Sequence, residues 1–85
     1  MDVVITRCAG LDVHQATVVA TIRVPTDQGG RRIVTETFGT MAADLLALRD
    51  WLQAYGVTHV ALESTGVYWK PVYYMLEDTF TLLLI

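Results

Sequence analysis

The sequence predicts an α/β domain built from a mixed five-stranded sheet and two helices, in the order β-β-β-α-β-α-β. Two apolar runs, residues 7–12 and 58–63, each end in an acid and have the composition of buried strands. Residues 16–24 are rich in β-branched side chains, and residues 32–38 alternate apolar and polar ones. Apolar residues at helical spacing follow residue 40, so helices and strands alternate in the second half of the chain.

The first half of the chain predicts three strands joined by tight turns. Strand one covers residues 7–12. Strand two covers residues 16–24, and Pro25 directly after it ends the strand. The Asp-Gln-Gly-Gly sequence at 27–30 is typical of a turn. The alternation in strand three, residues 32–38, indicates that one face of the sheet is partly exposed to water.

The first helix is predicted between Thr40, a suitable N-cap, and Gly56, a suitable C′ residue. Its apolar residues recur at helical spacing and form one stripe: Met41, Leu45, Leu48, Leu52 and Tyr55. This stripe predicts a helix that packs on one face of the sheet.

The second helix is predicted to begin between residues 67 and 70 and to end near residue 78. Pro71 is favoured in a first helical turn, and Ser64 is a candidate for capping this helix. Strand four, residues 58–63, precedes the helix, and strand five, residues 80–85, follows it.

The topology follows from the lengths of the connections. Strands one to three form an antiparallel meander, and the helical crossover then makes strand four parallel to strand one. Strands one and four are the most uniformly apolar, so we expect them to be central and adjacent. Asp12 and Glu63 would then lie side by side at the carboxyl end of the sheet, where open α/β sheets bind ligands.

The composition is that of one small folded domain. The chain has 85 residues, of which 53% are hydrophobic and 18% are charged, and this balance excludes intrinsic disorder. The formal net charge is −3, and the only basic pair is Arg31-Arg32, whereas a self-sufficient nucleic-acid binder normally carries a basic patch. Contacts to DNA or RNA would therefore come largely from elsewhere.

The cysteine count and the terminal runs bear on location. A single cysteine, Cys8, excludes an internal disulfide and fits a reducing cytoplasm. The final apolar run, residues 80–85, is far shorter than the ~20 residues that a membrane helix needs, so we expect no membrane partner. The chain stops inside this predicted strand, and we expect from that a domain that is incomplete at its C-terminus.

The two strand-end acids predict a divalent metal site. A carboxylate at the end of a buried strand needs a partner or a metal, and paired carboxylates with open positions suit Mg²⁺. Asp12 has an alternative interpretation as a turn residue, because Asp is common in turns. Glu63 also has an alternative interpretation, as an acid that is favoured by the dipole at a helix N-terminus.

The other reactive side chains suggest weaker sites. His14 lies near Asp12 and is a candidate for a phosphate contact, whereas His59 in mid-strand and Cys8 are expected to be structural. Ser64 has no nearby base in the sequence, which disfavours a serine hydrolase. An aromatic group predicts packing and a partner interface more than base stacking: Tyr68, Trp69, Tyr73 and Tyr74, with Lys70 among them.

Two stretches of the chain resemble a known family. They are Gly10-Leu11-Asp12-Val13-His14, followed by Val18-Val19, and the longer Thr58-His59-Val60-Ala61-Leu62-Glu63-Ser64-Thr65-Gly66-Val67-Tyr68-Trp69-Lys70-Pro71-Val72-Tyr73. Both are similar to the N-terminal domain of the DEDD transposases of the insertion-sequence 110 family. The second stretch is the more specific of the two, and the similarity runs over essentially the whole chain.

The resemblance implies an RNase H-like fold of the RuvC type and a quartet of Asp, Glu, Asp and Asp that binds Mg²⁺. Asp12 matches the first acid and Glu63 the second. The third and fourth acids and a domain carrying a nucleophilic serine would follow strand five. Gln15 stands where the family often has Lys, which is expected to weaken a phosphate contact. The resemblance also implies DNA as a partner, a structured guide RNA and a homo-oligomer.

Residues 1–85 are therefore interpreted as a truncated N-terminal catalytic domain of a transposase, which is expected to be inactive alone. Two other functions remain open. One is a non-catalytic interaction module with an exposed aromatic helix. The other is part of an actin-like phosphotransferase, whose first strand also ends in an acid. That class usually needs glycines in the next turn, and Val13-His14-Gln15 contains none.

Overall fold

The computed structural model describes residues 5–85, and the elements occur in the predicted order. Five strands and two helices are present: β1 (Cys8–Val13), β2 (Val18–Pro25), β3 (Arg31–Phe38), α1 (Ala42–Ala54), β4 (His59–Ser64), α2 (Trp69–Leu76) and β5 (Thr81–Leu84). Within the described residues, neither helix is long and apolar enough to cross a membrane.

The strands form one mixed sheet in the order β3-β2-β1-β4-β5. β1 pairs antiparallel with β2, and β2 pairs antiparallel with β3. β4 is parallel both to β1 and to β5. The predicted central position of β1 beside β4 is confirmed, and the architecture is consistent with an RNase H-like fold.

The two faces of the sheet differ in what covers them. One apolar cluster contains alternate residues of β1, β2 and β4 together with Leu45, Leu48 and Leu52 of α1 and Val72 and Leu76 of α2. Both helices therefore pack on the same face. The opposite face is open, because the intervening residues of β1, Gly10 and Asp12, are exposed. Strand one is thus buried on one face, and the expectation of a wholly buried strand is wrong.

The start of α1 differs from the prediction by one residue. The N-cap is Met41, and its backbone N–H donates to a carboxylate oxygen of Asp44 at 3.2 Å. Thr40 lies one residue before the N-cap, and its hydroxyl donates to the carbonyl of Gln15 at 3.1 Å. The C-terminal prediction is confirmed: Gly56 has a φ of 70°, and its N–H donates to the carbonyl of Gln53 at 2.9 Å.

The start of α2 lies within the predicted range, and Pro71 falls in its first turn. The predicted capping by Ser64 is wrong, because the N-cap is Tyr68 and it makes no side-chain cap hydrogen bond. Residues 65–68 separate the end of β4 from the helix, so Ser64 instead donates its hydroxyl to the carbonyl of Thr65 at 3.3 Å.

Helix α1 offers a matched pair of leucines for testing the packing. Leu48 is fully buried in the core, with 0% of its surface exposed, whereas Leu46 on the same helix is 39% exposed. Leu48→Ala is expected to lower the free energy of unfolding by about 2–5 kcal/mol, because it removes buried methyl groups and leaves a cavity. Leu46→Ala is expected to change it by about 0.5 kcal/mol or less. Urea unfolding followed by circular dichroism measures both, and equal losses would contradict this packing.

Candidate active site

The candidate site is set by the register between β1 and β4. The two strands run parallel, and Asp12 lies directly opposite Glu63 in the ladder. Neighbouring strands are ~4.8 Å apart, and side chains opposite each other in a ladder point to the same face. The two acids therefore lie side by side on the open face, near the carboxyl ends of both strands.

A shallow depression of about 370 Å³ lies beside the two acids. Its middle is low because Gly10 and Ala61, paired in the same ladder, have almost no side chain. A Cβ added to Gly10 would meet no atom within 4 Å, so nothing fills the space above this residue. The depression is lined by Gly10, Leu11, Asp12, Val19, Thr21, Ala61, Glu63 and Ile85.

The carboxylates of the site are exposed to water. The side chain of Asp12 is 61% exposed, and Glu63 is also classed as exposed. No charged side chain is buried in the part of the chain that the structure describes. The expectation that burial forces Asp12 to find a partner is therefore wrong, because the strand end opens on the uncovered face. Exposure instead leaves both acids free to exchange water for a cation.

His14 contacts the first acid of the site. Its Nε2 atom lies 3.1 Å from Oδ2 of Asp12, and its side chain is 46% exposed. A tight turn sets this position, since the backbone N–H of His14 donates to the carbonyl of Thr17 at 2.8 Å. The sequence suggested only a phosphate contact for His14, and its direct contact with Asp12 was not predicted. Asp12 and His14 are two residues apart at the end of a strand, and this spacing could have indicated their contact.

The donor set fits a hard, oxygen-binding cation. Within residues 5–85, no group of three or more His, Cys, Asp and Glu side chains is placed to hold a metal ion. Zinc sites in proteins normally use at least three such ligands, so the pair does not fit zinc. Mg²⁺ is commonly bound by one or two carboxylates, with water and substrate phosphate completing its shell. Asp12 and Glu63 match that pattern.

The remaining reactive side chains occupy structural positions. Nδ1 of His59 lies 2.8 Å from the hydroxyl oxygen of Thr58, so this half-buried ring has a partner. Cys8 lies beside His59 in the ladder, and it is half-buried on the open face instead of within the core. The hydroxyl of Ser64 is used by a backbone carbonyl, which disfavours a nucleophilic role.

The aromatic residues of α2 contact one another edge to face. The ring centroids of Trp69 and Tyr73 are 5.7 Å apart, and those of Tyr73 and Tyr74 are 6.2 Å apart. Nζ of Lys70 lies 6.0 Å from the Trp69 ring centroid. Edge-to-face pairs occupy ring faces and stabilise the helix, which supports packing over base stacking. Tyr74 remains 62% exposed.

The sequence matches one protein family. The family model for the DEDD transposases of insertion sequence 110, described as "Transposase", matches residues 9–85. The matched range includes both acids and nearly every element of the fold. No curated protein matches the chain.

The structure is similar to several solved structures, among them three of Ppx/GppA proteins from Aquifex aeolicus. A family member has 14% identity and a TM-score of 0.55, covering 96% of this chain and 35% of that one. The PPX-GPPA enzyme has 15% identity and a TM-score of 0.51, covering 96% and 36%. The type II variant of the Ppx/GppA phosphatase has 15% identity and a TM-score of 0.52, covering 95% and 36%. The chain thus spans about a third of these proteins, and the likeness shows the fold alone.

The metal site can be tested with Mn²⁺, a paramagnetic substitute for Mg²⁺ that broadens nearby amide signals in NMR spectra. We expect broadening centred on Asp12 and Glu63. Asp12→Asn and Glu63→Gln should each weaken Mn²⁺ binding by about tenfold or more, since even outer-shell substitutions cost 10–100-fold. Glu36→Gln removes the same charge from exposed β3 and should leave the affinity unchanged. Equal affinities in all four proteins would show that the acids do not bind the cation.

Proposed function

The chain belongs to the DEDD transposase family, and we propose that it supplies two acids to Mg²⁺-dependent DNA cleavage and joining. In this proposal residues 9–85 form part of an RNase H-like domain of the RuvC type. The observation that carries the proposal is the in-register placement of Asp12 and Glu63 on the open face of the sheet. Matched residues 9–85 contain both of these acids.

Each acid has a defined role in this proposal. Asp12 and Glu63 would hold a divalent cation, and the depression beside Gly10 would leave room for a phosphate group next to them. The cation, when bound, supplies Lewis-acid chemistry at the phosphate oxygens. His14 orients the Asp12 carboxylate through the 3.1 Å contact. The exposed acids repel phosphate by themselves, so substrate and cation are expected to bind together.

The charge of the chain indicates where DNA contacts must come from. The formal net charge is −3, and the depression is lined by two acids and no lysine or arginine. Basic side chains normally supply the affinity for a phosphate backbone. We therefore propose that the DNA is held by other parts of the transposase, by a second copy or by a guide RNA, while this sheet presents the metal ligands.

An actin-like phosphotransferase is the less favoured alternative. The likeness to the Ppx/GppA structures is one of fold, at 14–15% identity. In phosphate-binding turns, glycines let the backbone approach the ligand closely. The turn between β1 and β2, residues 14–17, contains no glycine and is closed by the contact between His14 and Thr17. This turn supports the transposase over the phosphotransferase.

A chimaera tests the proposed function directly. Residues 9–85 would replace the matching segment of an active transposase of this family, and Mg²⁺-dependent DNA cleavage would be measured. Asp12→Asn and Glu63→Gln are each expected to lower the cleavage rate by about 100-fold or more, since each removes a metal ligand. Glu36→Gln should retain the rate, because it removes an equal charge away from the site. An active chimaera that is insensitive to Asp12→Asn would refute the assignment.

The isolated 85-residue chain is expected not to cut DNA. Two carboxylates do not neutralise the pair of metal ions, about 4 Å apart, that such reactions use. The measurement is nicking of supercoiled plasmid by the purified chain with and without Mg²⁺. Mg²⁺-dependent nicking that disappears in Asp12→Asn would show that the two acids suffice.

A further inference from the structure

We propose that β5 is the surface through which two copies of this chain associate, by antiparallel pairing about a two-fold axis at Leu83. The pairing joins the two five-stranded sheets edge to edge. It is independent of the metal chemistry proposed above, because it uses the edge of the sheet and not the acids.

The free edge of β5 is defined by its hydrogen bonds to β4. The N–H of Thr81 donates to the carbonyl of Thr58, and the N–H of Ile85 donates to the carbonyl of Leu62, both at 2.9 Å. Successive residues of a strand alternate in the direction of their backbone groups. Thr81, Leu83 and Ile85 therefore face β4. The N–H and C=O groups of Leu82 and Leu84 point away from β4, and within residues 5–85 no other strand pairs with this edge.

The free groups are complementary to those of a second copy. In an antiparallel pair centred on Leu83, Leu82 of one copy lies opposite Leu84 of the other. Each of these two positions exchanges an N–H and a C=O with its partner, which gives four hydrogen bonds. Leu83 then faces its own equivalent as a non-hydrogen-bonded pair, where side chains are closest.

The side chains of the edge favour burial. Leu83 is 63% exposed, Leu84 is 40% exposed and Ile85 is 70% exposed. Exposed edges are normally protected from pairing by charges, proline or bulges. The side chains of residues 79–85 carry no charge and include no proline, whereas the opposite edge strand, β3, carries Arg31, Arg32 and Glu36.

A second copy fits this edge because pairing places no charged side chains opposite each other. The formal net charge of −3 makes two copies repel each other overall, but the side chains of β5 are uncharged and three of the four are leucines. The hydrogen-bonding groups at Leu82 and Leu84 are spaced symmetrically about Leu83, so the edge is its own complement. These two properties single out β5 over β3 as the site of self-association.

Engineered cysteines test the register of the pairing. In a Cys8→Ala background, Leu83→Cys places two thiols across the axis, with Cα atoms about 4.5 Å apart. That distance permits a disulfide between the copies. Leu84→Cys is the matched control, because its equivalents are offset by two residues, at about 8 Å, and disulfides do not span more than about 7 Å. We expect mild oxidation to cross-link Leu83→Cys and not Leu84→Cys.

Sedimentation equilibrium of the 85-residue chain tests the association itself. We expect a concentration-dependent dimer, which Leu83→Lys weakens by about tenfold or more because it sets two like charges opposite each other. Ile33→Lys is the control: Ile33 is 61% exposed on the opposite edge strand, and the dimer should persist. A monomer at every concentration, a dimer unaffected by Leu83→Lys, or cross-linking that is equal at or absent from both cysteine positions would overturn the proposal.

Discussion

The parallel register between β1 and β4 is the constraint on which the site depends. It is held at both ends of the pair. At the start, the backbone N–H and hydroxyl of Thr58 both donate to the carbonyl of Arg7, at 3.0 and 3.1 Å. At the end, the N–H of Thr65 donates to the carbonyl of Val13 at 3.4 Å. A slip of one residue would turn one acid toward the helices, since side chains alternate between faces.

The two faces of β1 have different roles, one in the core and one at the candidate site, because its side chains alternate between the faces. Ala9, Leu11 and Val13 bury themselves under the helices, and this burial stabilises β1 without any contribution from its other side chains. Gly10 and Asp12 therefore make no contribution to the packing of the core. A small residue and an acid on this face do not disturb the core, so one short strand both contributes to the core and presents an acid on the open face.

The element order and the position of the acids were predictable because they depend on local periodicity and on the length of the connections. The start of α2 was predicted correctly, but the capping residues of both helices were not. The hydroxyl of Thr40 donates to the carbonyl of Gln15, 25 positions earlier, and Ser64 lies four residues before the N-cap of α2. The exposure of Asp12 was also missed, since an apolar run does not reveal which face of a strand the helices leave uncovered. His14 was placed correctly near Asp12, but their direct contact needed the geometry of the turn.

The likeness to the Ppx/GppA structures is one of fold, at 14–15% identity. A shared fold does not decide function, which depends on the residues of the site. In this chain, those residues lie at the carboxyl edge of β1 and β4. A turn without glycine follows β1, and an acid stands opposite Asp12 in the ladder. A turn without glycine is less suited to close approach of the backbone to a phosphate. The proposed site therefore relies on side chains and a cation for phosphate contacts. The proposed metal site depends on Glu63 lying opposite Asp12 in the ladder. The crossover through α1 makes this pairing possible, and the sheet alone does not require it.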